Sequence, residues 1–128
     1  NFKKIKQVLS ALEKQRIVVS LFIDPDKRQI DAAKKVGVNL IELHTGRFAD
    51  AKGEKEQDKY FKELEIAVNY AQDKNLTVFA GHGLNYYNVA RVAKIEAIEE
   101  LNIGYSIVCR AVLVGLERAV KEMKMLIG

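Results

Sequence analysis

The sequence holds one cysteine, one proline and no tryptophan in 128 residues, and it has no long hydrophobic run. Each scarcity excludes something. A lone Cys109 leaves no intrachain disulfide, which fits a reducing compartment. The apolar stretches from Val18 to Ile23 and from Ala111 to Leu116 fall far short of the roughly 20 helical residues needed to cross a bilayer core of about 30 Å, so no membrane partner is expected. The N-terminus, Asn1 to Gln15, alternates lysines with apolar residues and lacks the apolar core and small-residue cleavage site of an export signal, so a cytoplasmic location is expected. No stretch rich in Pro, Gly or Ser marks an internal linker. An initiating methionine is also missing. The chain opens at Asn1 inside an amphipathic pattern and is expected to be a piece of a longer protein.

What is present is the make-up of a globular unit, with 48% apolar and 30% charged residues and a net charge of +4. The lysines are interleaved with Glu and Asp and form no single basic stripe, which argues against a nucleic-acid partner. A mild positive field suits the collection of small anions such as sugar phosphates, although the same charges also read as ordinary solvated helix faces.

Periodicity predicts an alternation of helices and strands. Ile5, Val8, Leu9 and Leu12 share one helical face. The β-branched and aromatic run from Ile17 to Ile23 reads as a buried strand, closed by Asp24-Pro25. Asp24 is the expected N-cap of a short helix, with Pro25 at its first position and Gly37 as its left-handed stop. Leu40 to His44 reads as a second strand, and Tyr60, Leu64, Ala67, Val68 and Ala71 form the apolar face of a long helix from about Glu54 to Asp73. A third strand is expected from Leu76 to Ala80, a mostly helical return from Tyr87 to Ile98, a fourth strand at Ser106-Ile107-Val108, and a final helix from Ala111 to Ile127. Such alternation predicts an α/β fold with a parallel sheet and right-handed crossovers. Four strands in this length fit about half of a (β/α)₈ TIM barrel, which takes about 250 residues. An open doubly wound sheet fits the pattern equally well.

In either architecture ligands bind at the carboxyl ends of the strands. A period of two puts Glu42 and His44 on one face of the second strand and Ile41 and Leu43 on the other. A carboxylate set among apolar strand residues is costly unless it is paired or has a task, so Glu42 is a candidate site residue; a structural ion pair is the plain alternative. His44 fits core and site equally. The third strand leads into Gly81-His82-Gly83, where glycines free the backbone and leave room for a ligand. An imidazole, with a reference pKa near about 6.5, both gives and takes protons at neutral pH. Alone, the Gly-His-Gly triplet is weak, and a turn bearing an incidental histidine reads just as well. Neither histidine has neighbours at metal-ligand spacing, so no metal is expected. Gly83 and Gly104 are candidates for backbone contacts to phosphate. Arg110 fits a phosphate ligand or an ion-pair partner of Glu42, Cys109 a small apolar strand residue, and Tyr86-Tyr87 helix packing.

These segments also carry a family resemblance. Val19-Ser20-Leu21-Phe22-Ile23-Asp24, Glu42-Leu43-His44-Thr45-Gly46, Ala80-Gly81-His82-Gly83-Leu84-Asn85 and Leu101-Asn102-Ile103-Gly104 together resemble the pyridoxine 5'-phosphate synthase family over essentially the whole chain. The resemblance implies strands five to eight of a (β/α)₈ barrel, so that residues 1–128 are the C-terminal half of a single barrel domain. It implies a ring-closing, transferase-type synthase of vitamin B6 biosynthesis. Its substrates are 3-amino-2-oxopropyl phosphate and 1-deoxy-D-xylulose 5-phosphate, its products pyridoxine 5'-phosphate, inorganic phosphate and water, and it uses no metal or organic cofactor. It further implies a homo-octamer in which His82 is a proton donor, Glu42 stabilises a transition state, and Gly83, Gly104 and Tyr105 bind the amino-ketone phosphate. Tyr105 departs from the family pattern, which has histidine there before strand eight, so only a backbone contact survives. Cys109, where glycine is common, departs too. The family's remaining acid–base and arginine residues lie on strands one to four, so the segment alone is expected to be inactive. A non-catalytic phosphate-binding module and another sugar-phosphate barrel enzyme remain the alternatives.

Overall fold

The computed structural model describes residues 1–128. An opening helix α1 (Phe2–Lys14) precedes β1 (Ser20–Ile23), α2 (Lys27–Val36) and β2 (Leu40–His44). A single turn α3 (Gly46–Ala49) leads to the long α4 (Glu54–Asp73), then β3 (Thr77–Gly81), a second single turn α5 (Val89–Val92), β4 (Ile98–Asn102), α6 (Tyr105–Val114) and α7 (Leu116–Ile127). The four strands form one sheet in the order β1-β2-β3-β4, and every pairing is parallel. No reversal of strand order occurs, so the sheet lacks the internal switch point at which a doubly wound fold places its ligand.

Alternation divides the sheet into two faces. Ile41, Leu43, Val78 and Ala80 are almost fully buried and join Ile30 and Ala33 of α2 and Leu64, Val68 and Ala71 of α4 in a cluster of 18 core residues. Each large aliphatic side chain removed from water there contributes about 1.5–3 kcal/mol. On the other face the register aligns Phe22 with Glu42 and Phe79, and His44 with Gly81 and Asn102. No helix covers that second face, and Phe22 is 54% exposed.

Several expectations are corrected. The fourth strand is β4, and Ser106-Ile107-Val108 lie in α6. Glu99 and Glu100 hide the strand in the sequence, yet both are exposed where β4 closes the sheet, so neither incurs a burial cost. The β-branched pair Ile107-Val108 belongs instead to a helix that starts after Gly104. The return before β4 contains only the single turn α5. Gly115, with φ of +84°, splits the expected last helix into α6 and α7. The strand β1 starts at Ser20, leaving Val18 82% exposed. The N-cap of α2 is Asp26, whose carboxylate accepts from the N–H groups of Arg28 and Gln29, while Pro25 precedes the cap. Gly37 is the left-handed stop, with φ of +109°.

Candidate active site

The carboxyl ends of β2, β3 and β4 deliver their side chains to one cavity of about 840 Å³, lined among others by Glu42, His82, Gly83, Asn102, Gly104 and Tyr105. All five residues expected from the sequence to form the site are therefore brought together. Gly104 and Tyr105 reach it from an unexpected place. They follow the fourth strand and open α6, with Gly104 as its N-cap. The hydroxyl of Ser106 donates to Leu84 O at 2.8 Å, which ties this helix start to the loop that carries His82 and Gly83. Tyr105 is 87% exposed at the cavity rim.

Glu42 is half-buried on the open face, where the register sets it between Phe22 and Phe79. Its orientation follows from the register. Gly81 stands between His44 and Asn102 in the row across the strand ends, and a Cβ added there would collide with Glu42 Oε1. The missing side chain lets the carboxylate lie over β3 and accept at Oε2 from the amide Nδ2 of Asn102 at 2.9 Å. The partner of Glu42 is thus an amide, which leaves its negative charge unneutralised within the cavity.

His82 has φ of +82°, in the left-handed region that residues with a Cβ rarely occupy. Such strain, located at the mouth of a cavity, is characteristic of functional positions. Its ring stacks on His44 with centroids 4.5 Å apart and planes at 27°. Phe22 leans on His44 at 5.2 Å. Asp24 Oδ1 lies 4.0 Å from His44 Nδ1. Gly46 makes this possible, since a Cβ there would strike His44 and come within 3.1 Å of His82. His44 therefore stands beside the cavity, stacked on His82, and not in the core.

Three readings of neighbouring residues change. Arg110 does not pair with Glu42; its guanidinium donates to Glu122 at 2.8 and 3.2 Å. Cys109 is an exposed helix residue at the cavity wall and not a strand residue. The Tyr86 hydroxyl donates to Ala119 O at 2.8 Å, whereas Tyr87 is 98% exposed and packs against nothing. No group of three or more His, Cys, Asp or Glu side chains is arranged so that it could hold a metal ion.

Asn102, Thr45 and Asn88 were not singled out from the sequence. Asn102 was hidden by the misplaced fourth strand, although it stands in one of the segments carrying the family likeness. Thr45 stands in another of those segments, and spacing alone does not show that it and Asn88 are buried.

Residues 1–128 match the family model described as pyridoxal phosphate biosynthesis protein PdxJ. Curated relatives carry the name pyridoxine 5'-phosphate synthase. That of Sulfurihydrogenibium sp. (strain YO3AOP1) is 51% identical over 96% of this chain and 50% of its own length. That of Coxiella burnetii (strain Dugway 5J108-111) is 53% identical over 97% of the chain and 52% of its own length. For Geobacter sp. (strain M21) the identity is 52%, over 96% and 52% respectively. The chain thus spans about half the length of these relatives. With the family model matched from end to end and a buried-face, open-face sheet that gathers its glycines, glutamate and histidine in one cavity, the chain belongs to the pyridoxal phosphate biosynthesis protein PdxJ family.

Proposed function

We propose that this chain is the C-terminal half of a (β/α)₈-barrel enzyme. In this reading the whole protein condenses 3-amino-2-oxopropyl phosphate with 1-deoxy-D-xylulose 5-phosphate to give pyridoxine 5'-phosphate, inorganic phosphate and water. The observation that carries it is the convergence of Glu42 and His82 on one cavity at the carboxyl edge of a parallel sheet, beside Gly83 and Gly104. Sequential strand order supports the half-barrel, because four more strands are needed to cover the open face that bears Phe22, Glu42 and His44.

Within the site His82 is the proton donor. Departing hydroxyl and phosphate oxygens leave more easily once protonated, and an imidazole supplies that proton near neutral pH. Glu42 stabilises a transition state. Condensation of an amine with a ketone develops positive charge at nitrogen, and a carboxylate fixed by Asn102 is already oriented to meet it. Gly83 and the backbone at Gly104 and Tyr105 hold the amino-ketone phosphate, Tyr105 through its N–H at the start of α6. The chemistry needs acid–base groups only, so no cofactor is assigned. The assembly proposed is a homo-octamer in the cytoplasm.

The test is product formation by the full-length protein from the two phosphorylated substrates, with His82→Asn alongside. Product from the parent and a loss of about 10²- to 10⁴-fold in the variant is expected, the range for removal of a general acid. No product from either would move the assignment to a phosphate-binding module or another barrel enzyme. The 128-residue segment alone is expected to be inactive.

A further inference from the structure

We propose that Thr45 and Asn88 are positioning residues that hold the His82–Gly83 turn in its strained conformation, Thr45 setting the proton donor and Asn88 the substrate-binding glycine; this rests on the reading of His82 and Gly83 given above. Of 25 buried residues only these two are polar. They come from different parts of the chain, the junction of β2 with α3 and the residue before α5, yet both direct their polar atoms to the same turn. Burial of a hydroxyl or an amide is costly unless its hydrogen bonds are made, and no buried side-chain polar atom here lacks a partner.

The bonds meet three successive carbonyls. The N–H of Thr45 donates to Gly81 O at 2.8 Å. Its hydroxyl proton is therefore free for His82 O at 2.7 Å, with Gly81 O at 2.8 Å as the alternative. On the far side Asn88 Oδ1 accepts from the N–H of Asn85 at 2.8 Å, and Asn88 Nδ2 donates to Gly83 O at 3.4 Å. His82 and Gly83 both have positive φ, at +82° and +79°. Histidine is disfavoured there by crowding between its Cβ and the carbonyl, and such a conformation persists only where its surroundings over-determine it. The two buried side chains supply that determination, and the stack on His44 fixes the ring once the backbone is set.

The two residues differ in what they govern. Thr45 bonds the residue that carries the imidazole, so its loss moves the proton donor and lowers kcat. Asn88 bonds the residue that contacts substrate, so its loss raises KM. In the full-length enzyme Thr45→Val, which keeps the shape and removes the hydroxyl, is expected to lower kcat by roughly 10- to 100-fold at nearly unchanged KM, the scale of a misplaced catalytic group. Thr45→Ser restores the hydroxyl and is expected to restore most of the rate. Asn88→Ala is expected to raise KM for the amino-ketone phosphate more than it lowers kcat.

Parental kcat per folded molecule in Thr45→Val, with His82→Asn inactive, would overturn the inference and leave the role of His82 standing. Full activity of His82→Asn would instead remove the reading on which it rests. Should Thr45→Val fail to fold, Asn88→Ala decides the matter: a KM for the amino-ketone phosphate equal to the parent's would overturn the inference.

Discussion

The two faces of the sheet are built from alternate residues of the same strands, and they differ in almost every physical respect. One carries Ile41, Leu43, Val78 and Ala80, each no more than 1% exposed, against α2 and α4. The other carries Phe22, Glu42 and His44 beside Asn102, with no helix over them. A period of two keeps the tasks separate, since a side chain on the open face can be charged or strained without opening a void in the core. Stability is concentrated on one face and the candidate site on the other, one residue apart along the chain.

That separation predicts opposite phenotypes from neighbouring substitutions. Leu43→Ala should cost about 2–5 kcal/mol of unfolding free energy, because the surrounding α2 and α4 residues only partly collapse into the space. Urea titration checks it, and kcat per folded molecule should stay close to the parent's. Glu42→Gln keeps an oxygen to accept from Asn102 and removes only the charge. Turnover should fall by about 10²-fold, equivalent to about 2.7 kcal/mol of transition-state stabilisation, with the urea midpoint nearly unmoved. Lost stability at a normal rate would break the division between the faces. Gly83→Ala is smaller in effect. It puts a side chain at φ of +79° and a Cβ within 2.6 Å of the Ala49 methyl, so a cost of about 1–2 kcal/mol is expected, together with weaker binding of the proposed amino-ketone phosphate substrate. Thermal melts and KM read the two parts.

The buried face was legible because its signal is repetitive. Ile41 and Leu43, and the stripe from Leu64 to Ala71, recur at the periods that burial imposes. The strand-end glycines were legible too, since Gly81 and Gly83 flank a histidine where a turn must follow. The β4–α6 region was not. The polar residues of β4 sit where the sheet is open, so no burial pattern marked the strand, and the β-branched pair Ile107-Val108 matched a short buried strand as well as a helix. The outward apolar face of α6, including Val108, Val112 and Leu113, explains that ambiguity, for none of its residues is buried in this chain. Distance along the sequence hid the rest. Thr45 meets the histidine turn 36 and 37 residues away, and Asn102 meets Glu42 across 60 residues, contacts that no local spacing encodes.

The smallest effect expected lies on neither face. Glu122 of α7 accepts from Arg110 of α6 at 2.8 and 3.2 Å and from Arg118 at 2.8 Å. Hydrogen bonds from Arg110, then from Arg118, hold its carboxyl near a pKa of about 2, below the ordinary 4.5. A carboxyl depressed by folding stabilises the native state fully above its ordinary pKa and loses that contribution as pH falls towards the folded value. The contribution of Glu122 should therefore be complete at neutral pH and fade between about 4.5 and about 2. Glu122→Gln should melt slightly below the parent at pH 7, and the two Tm curves should converge across that window. Salt should shrink the gap at neutral pH, because the pair faces solvent. Convergence would mark the α6–α7 contact as an electrostatic fastening outside the core, whereas a gap that persists to low pH would mean that Glu122 acts through packing and that the buried layer extends further than the sheet face alone.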